Sequence, residues 1–149
     1  MDTVIVDTDV YSYLTSSNPN RGAPYKPHLV GKNIALSFIT VGEQYAGYLK
    51  KIHKGEWDEV RLQDFEARLQ LVVVIPYDVE ICKTFGALKA TMLNPDGTAR
   101  VVPPNDLWVA ACAVRHSLTL ITNNRKHFEN VPGLDIICEA PGPRIVAKL

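Results

Sequence analysis

Residues 4–14 read VIVDTDVYSYL, an apolar run that ends on two aspartates, Asp7 and Asp9, where a helix is expected to begin. A DxD in that place supports two chemistries. Asp7 could attack phosphorus while Asp9 handles protons, or Asp7 could ligate a metal ion while Asp9 belongs to the helix start. Three further residues of suitable type lie far along the chain: Glu43 in SFITVGEQY, Asp106 in PPNDLWVAA and Asn124 in LITNNRKHF.

What joins them is the elements that carry them. Residues 3–6 are β-branched and apolar on both faces, as a central parallel strand covered by helices must be. Residues 34–38, 71–75, 118–122 and 134–138 repeat the strand signal. Between them, Val41, Tyr45, Tyr48, Leu49 and Ile52 make a helical stripe, and Leu62, Phe65 and Leu69 make another. Ile81, Cys82, Phe85, Leu88 and Met92 form a third. Residues 106–114 are apolar nearly all round and read as a buried helix, with Pro104 before a capping Asn105. The stretch 16–31 holds Pro19, Pro24 and Pro27 and reads as irregular loop; residues 123–129 read as a short basic turn or helix. Strands alternating with helices predict an α/β fold, a three-layer α/β/α sandwich with a mostly parallel sheet, as one domain over residues 1–149.

In such sheets sites form beyond the C-terminal strand ends. Asp7, Glu43, Asp106 and Asn124 all follow strands or open helices there. Glu43 falls about 200° round the helix from Val41, away from the stripe. Three carboxylates brought together repel one another and raise each other's pKa unless a cation neutralises them. Oxygen ligands of that kind suit Mg²⁺ or Mn²⁺. Arg125 and Lys126, next to Asn124, are placed to meet phosphates; Lys50, Lys51, His53 and Lys54 read as cations at a helix C-terminus. His28, His53, His116 and His127 show no ligand spacing and are left out of the chemistry.

Composition excludes several classes. Sixteen basic residues against sixteen acidic leave no global field to draw in a polyanion, so nucleic-acid contact must be local. Cys82, Cys112 and Cys138 are too few and too scattered for a disulfide framework or a zinc knuckle, and read as buried thiols. No apolar run approaches the ~20 residues of a membrane span, and the N-terminus lacks signal-peptide features, so a cytoplasmic protein is expected.

VIVDTDVYSYL, SFITVGEQYAGYL, PPNDLWVAACAVRHSLTLITNNRKHF and ENVPGL, in that order, resemble the successive motifs of PIN-domain ribonucleases, in particular the VapC toxins of VapBC toxin–antitoxin pairs. The resemblance implies that Asp7, Glu43 and Asp106 are the metal-binding carboxylates and that Asn124 fills the fourth position. It also implies hydrolysis of RNA to 5′-phosphate and 3′-hydroxyl ends, a homodimer, and a VapB-like antitoxin that inserts a segment near the acidic groove. An amide at Asn124 adds no charge, which weakens a second metal position. Asp9 stands where the family more often has Asn, and reads as a cap or outer partner. Thr8, Thr40 and Thr122 match hydroxyl positions near such sites. Two rivals stand beside this: a haloacid-dehalogenase-type phosphatase using Asp7 and Asp9, and a non-catalytic RNA- or protein-binding module.

Overall fold

The computed structural model describes residues 2–140. Its five strands are β1 (Thr3–Val6), β2 (Asn33–Ser37), β3 (Val73–Ile75), β4 (Leu120–Ile121) and β5 (Ile136–Ile137). They form one sheet in the order β3-β2-β1-β4-β5, and every pair is parallel. The helices are α1 (Thr8–Thr15), α2 (Phe38–His53), α3 (Glu59–Leu69), α4 (Val79–Thr91), α5 (Pro104–Arg115) and the short α6 (Arg125–Phe128).

Side-chain alternation along the strands builds two cores. Val4, Val6, Leu36 and Ile121 face one way and pack with Val10 and Tyr11 of α1, Tyr45 and Tyr48 of α2 and Phe65 of α3. Ile5, Ala35 and Leu120 face the other way, onto Ile81 and Leu88 of α4 and Val109 to Ala113 of α5. The expected three-layer α/β/α arrangement with a parallel sheet is therefore the observed one. The Tyr48 ring stacks on Phe65 at 4.8 Å, and Phe85 of α4 stacks on Trp108 of α5 at 3.9 Å.

The chain enters at the middle of the sheet, builds β2 and β3 to one side, then crosses over to build β4 and β5 on the other. The order thus reverses at β1, and such a switch point opens a crevice beyond the C-terminal strand ends. Asp7 is the first residue past β1 and N-caps α1.

Several expectations are corrected. The β3 strand is confined to Val73–Ile75, because Leu71 N and Val72 N bond back to Arg68 O and Leu69 O and finish the α3 turn. It is an edge strand rather than a covered one: Leu71 is 84% and Val73 52% exposed. Helix α2 starts at Phe38 directly from the strand, with Ser37 Oγ accepting from Thr40 N at 3.1 Å. Glu43, expected where this helix opens, therefore lies in its second turn. Helix α5 begins at Pro104, not after Asn105: Pro at the first helical position needs no N–H partner and arrives with helical φ. Of the cysteines only Cys112 is buried; Cys82 and Cys138 are half-exposed.

The proline-rich stretch is not wholly irregular, since Ala23–His28 forms a 3₁₀ helix. Gly22 permits it by close approach, as a Cβ there would lie 2.9 Å from Tyr13 O. The Tyr25 ring is buried, and its hydroxyl donates to Asn123 Oδ1 at 2.5 Å and accepts from Glu139 N at 3.1 Å. Tyr25 therefore ties this segment to the ends of β4 and β5. Tyr25→Phe should cost about 0.5–1.5 kcal/mol in urea unfolding, because it removes hydrogen bonds to the half-buried Asn123 and the exposed Glu139; an unchanged midpoint would show that the tie carries nothing.

Candidate active site at the sheet switch point

Asp7 is 5% exposed, and both its oxygens accept hydrogen bonds. Thr8 N donates to Oδ1 at 2.8 Å and Thr122 Oγ1 donates to Oδ2 at 2.8 Å. Thr122 follows β4, the strand beside β1, so the pairing of Val6 with Ile121 sets these two side chains next to each other. Burial, and then the nearby charge of Asp9, push the Asp7 carboxyl up to about 7. The bonds from Thr122 and Thr8 oppose that rise, and Asp106 adds to it.

Asp9 is half-buried in the first turn of α1, where its Oδ1 accepts from Val10 N at 2.8 Å. The N-cap position itself belongs to Asp7, so Asp9 acts on the site as a neighbouring negative charge.

Glu43 is half-buried rather than solvated. Its Oε1 accepts from Thr8 Oγ1 at 2.7 Å, and that hydroxyl stands 3.1 Å from Thr40 Oγ1. Gln44 Nε2 donates to Ser12 Oγ at 2.8 Å, a second stitch between α1 and α2. The three threonines singled out by the sequence thus all bond within the site: Thr8 to Glu43, Thr40 to Thr8, Thr122 to Asp7.

Asp106 lies in the first turn of α5, and its Oδ2 is 2.5 Å from His127 Nδ1. Asn124 Nδ2 is 2.6 Å from the same nitrogen, and Asn124 N donates to Thr122 Oγ1 at 3.1 Å. The Thr122 hydroxyl therefore links Asp7 to the Asn124 turn. His127 is the residue that sequence reasoning missed. The available signal was Asn124-x-x-His127, since residues three apart on a helical turn face the same way.

The basic residues divide. Arg125 and Lys126 are exposed at the edge of this turn, and Arg125 donates to Cys138 O at 3.0 Å. Lys50, Lys51 and His53 occupy the last turn of α2, and Lys51 pairs with Glu56 at 2.8 Å, as expected of a helix C-terminus.

Asp7 and Asp106 are thus close enough to feel each other's charge, and Glu43 joins through Thr8. Among the described residues no three His, Cys, Asp or Glu side chains converge into a ready-made metal cage. Mg²⁺ does not require one, because it keeps several waters and is held by one or two carboxylates plus substrate phosphates. The donor set, all oxygen and strained by mutual repulsion at Asp7, fits such a cation.

The sequence matches the PIN domain family over residues 4–134, and the chain belongs to that family. Within it the chain stands with the VapC ribonucleases. It is 31% identical over 133 residues to Ribonuclease VapC2 of Rickettsia felis, covering 87% of this chain and 92% of that protein. It is 29% identical over 130 residues to Ribonuclease VapC2 of Haemophilus influenzae, with the same coverage. Among solved structures, VapBC-1 from nontypeable Haemophilus influenzae superposes with a TM-score of 0.74 at 25% identity, over 91% of this chain and 97% of that one. FitAcB from Neisseria gonorrhoeae shares the fold, with a TM-score of 0.72 at 20% identity over 90% and 96% of the two chains.

The raised Asp7 pKa has a consequence for stability. Between its ordinary value of 3.8 and about 7 the folded protein holds a proton that the unfolded chain has released. Stability is therefore most favourable below about 3.8 and is lost as pH rises through about 7. The loss is on the order of 4 kcal/mol for a shift of this size. In chelator, Asp7→Asn should gain on the wild type as pH rises across that window, measured as paired urea unfolding at pH 4.5 and 8. A difference that does not change with pH would contradict the assignment.

Proposed function

We propose that this chain is a divalent-metal-dependent endoribonuclease using Mg²⁺ or Mn²⁺, and the toxin component of a type II toxin–antitoxin pair. The observation that carries the reading is the buried Asp7 carboxylate at the end of the central strand, its pKa raised by burial, Asp9 and Asp106. A site that makes a carboxylate this costly to ionise favours a cation beside it. The curated relatives are named VapC ribonucleases, and solved neighbours are VapBC complexes, which supports RNA as substrate and a VapB-like antitoxin as partner. A homodimer in the cytoplasm belongs to the same reading. Among the described residues no helix is long and apolar enough to cross a membrane.

In this reading Asp7 and Asp106 hold the cation, Glu43 completes the acidic cup, and Asn124 lines its rim. When bound, the cation supplies Lewis-acid stabilisation of charge on the phosphodiester and assists ionisation of water. The protein's own groups orient and neutralise. Thr122 and Thr8 fix the two oxygens of Asp7, Thr8 fixes Glu43, and Arg125 and Lys126 pair with flanking phosphates. No side-chain nucleophile is required.

Phosphotransfer to Asp7 is less well supported. Its interactions are with Thr8, Thr122, Asp9 and Asp106, with no lysine among them to steady a phosphoryl group.

Asp7→Asn and Asp106→Asn, each shown to be folded, should lower RNA cleavage in Mg²⁺ or Mn²⁺ by at least about a hundredfold, the scale on which loss of positioned charge acts in a dry site. Product ends should carry 5′-phosphate. Turnover of a small phosphate monoester that dies with Asp9→Asn, without RNA cleavage, would favour the phosphatase. Cation binding without any cleavage would favour a binding module.

A further inference from the structure

His127 is held in a way that the acidic cup alone does not call for. Its turn is anchored from three sides: Phe128 is fully buried, Glu129 N donates to Arg125 O at 2.8 Å, and Arg100 Nη2 lies 3.3 Å from both Lys126 O and His127 O. Arg100 comes from the hairpin between α4 and α5, closed by the Leu93 and Ala99 bridge, so an element otherwise remote from the site braces this turn. The braced ring then meets Asp106 and Asn124 with one nitrogen, Nδ1.

That nitrogen carries at most one proton. With Asp106 ionised, Nδ1–H donates to Oδ2, and it cannot also accept from Asn124 Nδ2. Both contacts become hydrogen bonds when the Asn124 amide is turned end for end, an exchange of two atoms of nearly equal size. Its Oδ1 then shares the Nδ1 proton, and its Nδ2 is released as a donor. Asp106 Oδ1 has no protein hydrogen-bond partner among the described residues.

We propose that His127 is a positioning residue: its Nδ1–H ties Asp106 Oδ2 to the Asn124 amide, and so presents Asp106 Oδ1 to the divalent cation of the proposed nuclease. The proposal rests on the nuclease reading. Partners of this kind around metal ligands set ligand orientation, and their loss costs about 10–100-fold in metal affinity or activity.

The test compares wild type with His127→Ala, His127→Asn and His127→Gln, each checked for folding by circular dichroism. An asparagine amide can reach the place of Nδ1, whereas a glutamine amide reaches that of Nε2, so the pair separates the two ring nitrogens. Calorimetric titration with Mn²⁺ and steady-state cleavage of RNA are read together. His127→Ala should weaken Mn²⁺ binding and lower kcat, each about 10–100-fold, with KM for RNA within about twofold. His127→Asn should recover most of both losses and His127→Gln should not.

Wild-type Mn²⁺ affinity in His127→Ala would overturn the proposal. So would equal recovery, or equal failure, of the asparagine and glutamine variants. Should the alanine protein not fold, the asparagine and glutamine variants still decide. Those results leave the nuclease reading standing if wild type binds Mn²⁺ and cuts RNA; a wild type that does neither overturns both.

Discussion

The structure turns on one costly placement: a carboxylate at the end of a strand buried on both faces. β1 lies in the middle of the sheet because its three buried residues, Val4, Ile5 and Val6, are apolar whichever way they point. The next residue inherits that depth. Asp7 has little access to bulk water, and its two oxygens are met instead by a backbone N–H and a threonine hydroxyl. Those two bonds offset part of the desolvation and leave the remainder as a raised pKa. The strand order, the start of α1 and the identity of Thr122 all serve that single buried charge.

Around it, the side chains are fixed by short links rather than by a broad pocket. Thr8 reaches Glu43 across α1 and α2, and Thr122 connects Asp7 with the backbone of Asn124. His127 then connects Asn124 with Asp106. Asp7, Glu43 and Asp106 are thereby each oriented by a side-chain partner before any ligand arrives, which is how preorganised sites lower the reorganisation needed in a reaction. Asp9 contributes only charge, and because it is half-exposed its field is partly screened.

Much of this could be read from residue order. The period-two and period-3.6 patterns gave the alternating elements, and the rule that parallel sheets carry sites at their C-terminal ends picked out Asp7, Glu43, Asp106 and Asn124. Boundaries were less accessible where tertiary contacts overrode local preference. Leu71 has strand-like chemistry, yet the close of α3 claims its backbone; Pro104 starts a helix one residue before the better capping side chain. His127 was only partly legible: its spacing from Asn124 is a local signal, but its contact with Asp106 is made across the fold, and no spacing rule along the chain reports it.

The bond from Thr122 to Asp7 spans 115 positions of sequence. The contact depends on β4 pairing beside β1, with β2, β3 and the intervening helices lying between those two strands in sequence. Contacts that distant form late, because the loop entropy must be overcome before they give any return. The acidic cluster therefore depends on the pairing of β4 with β1 and on no single local segment of the chain.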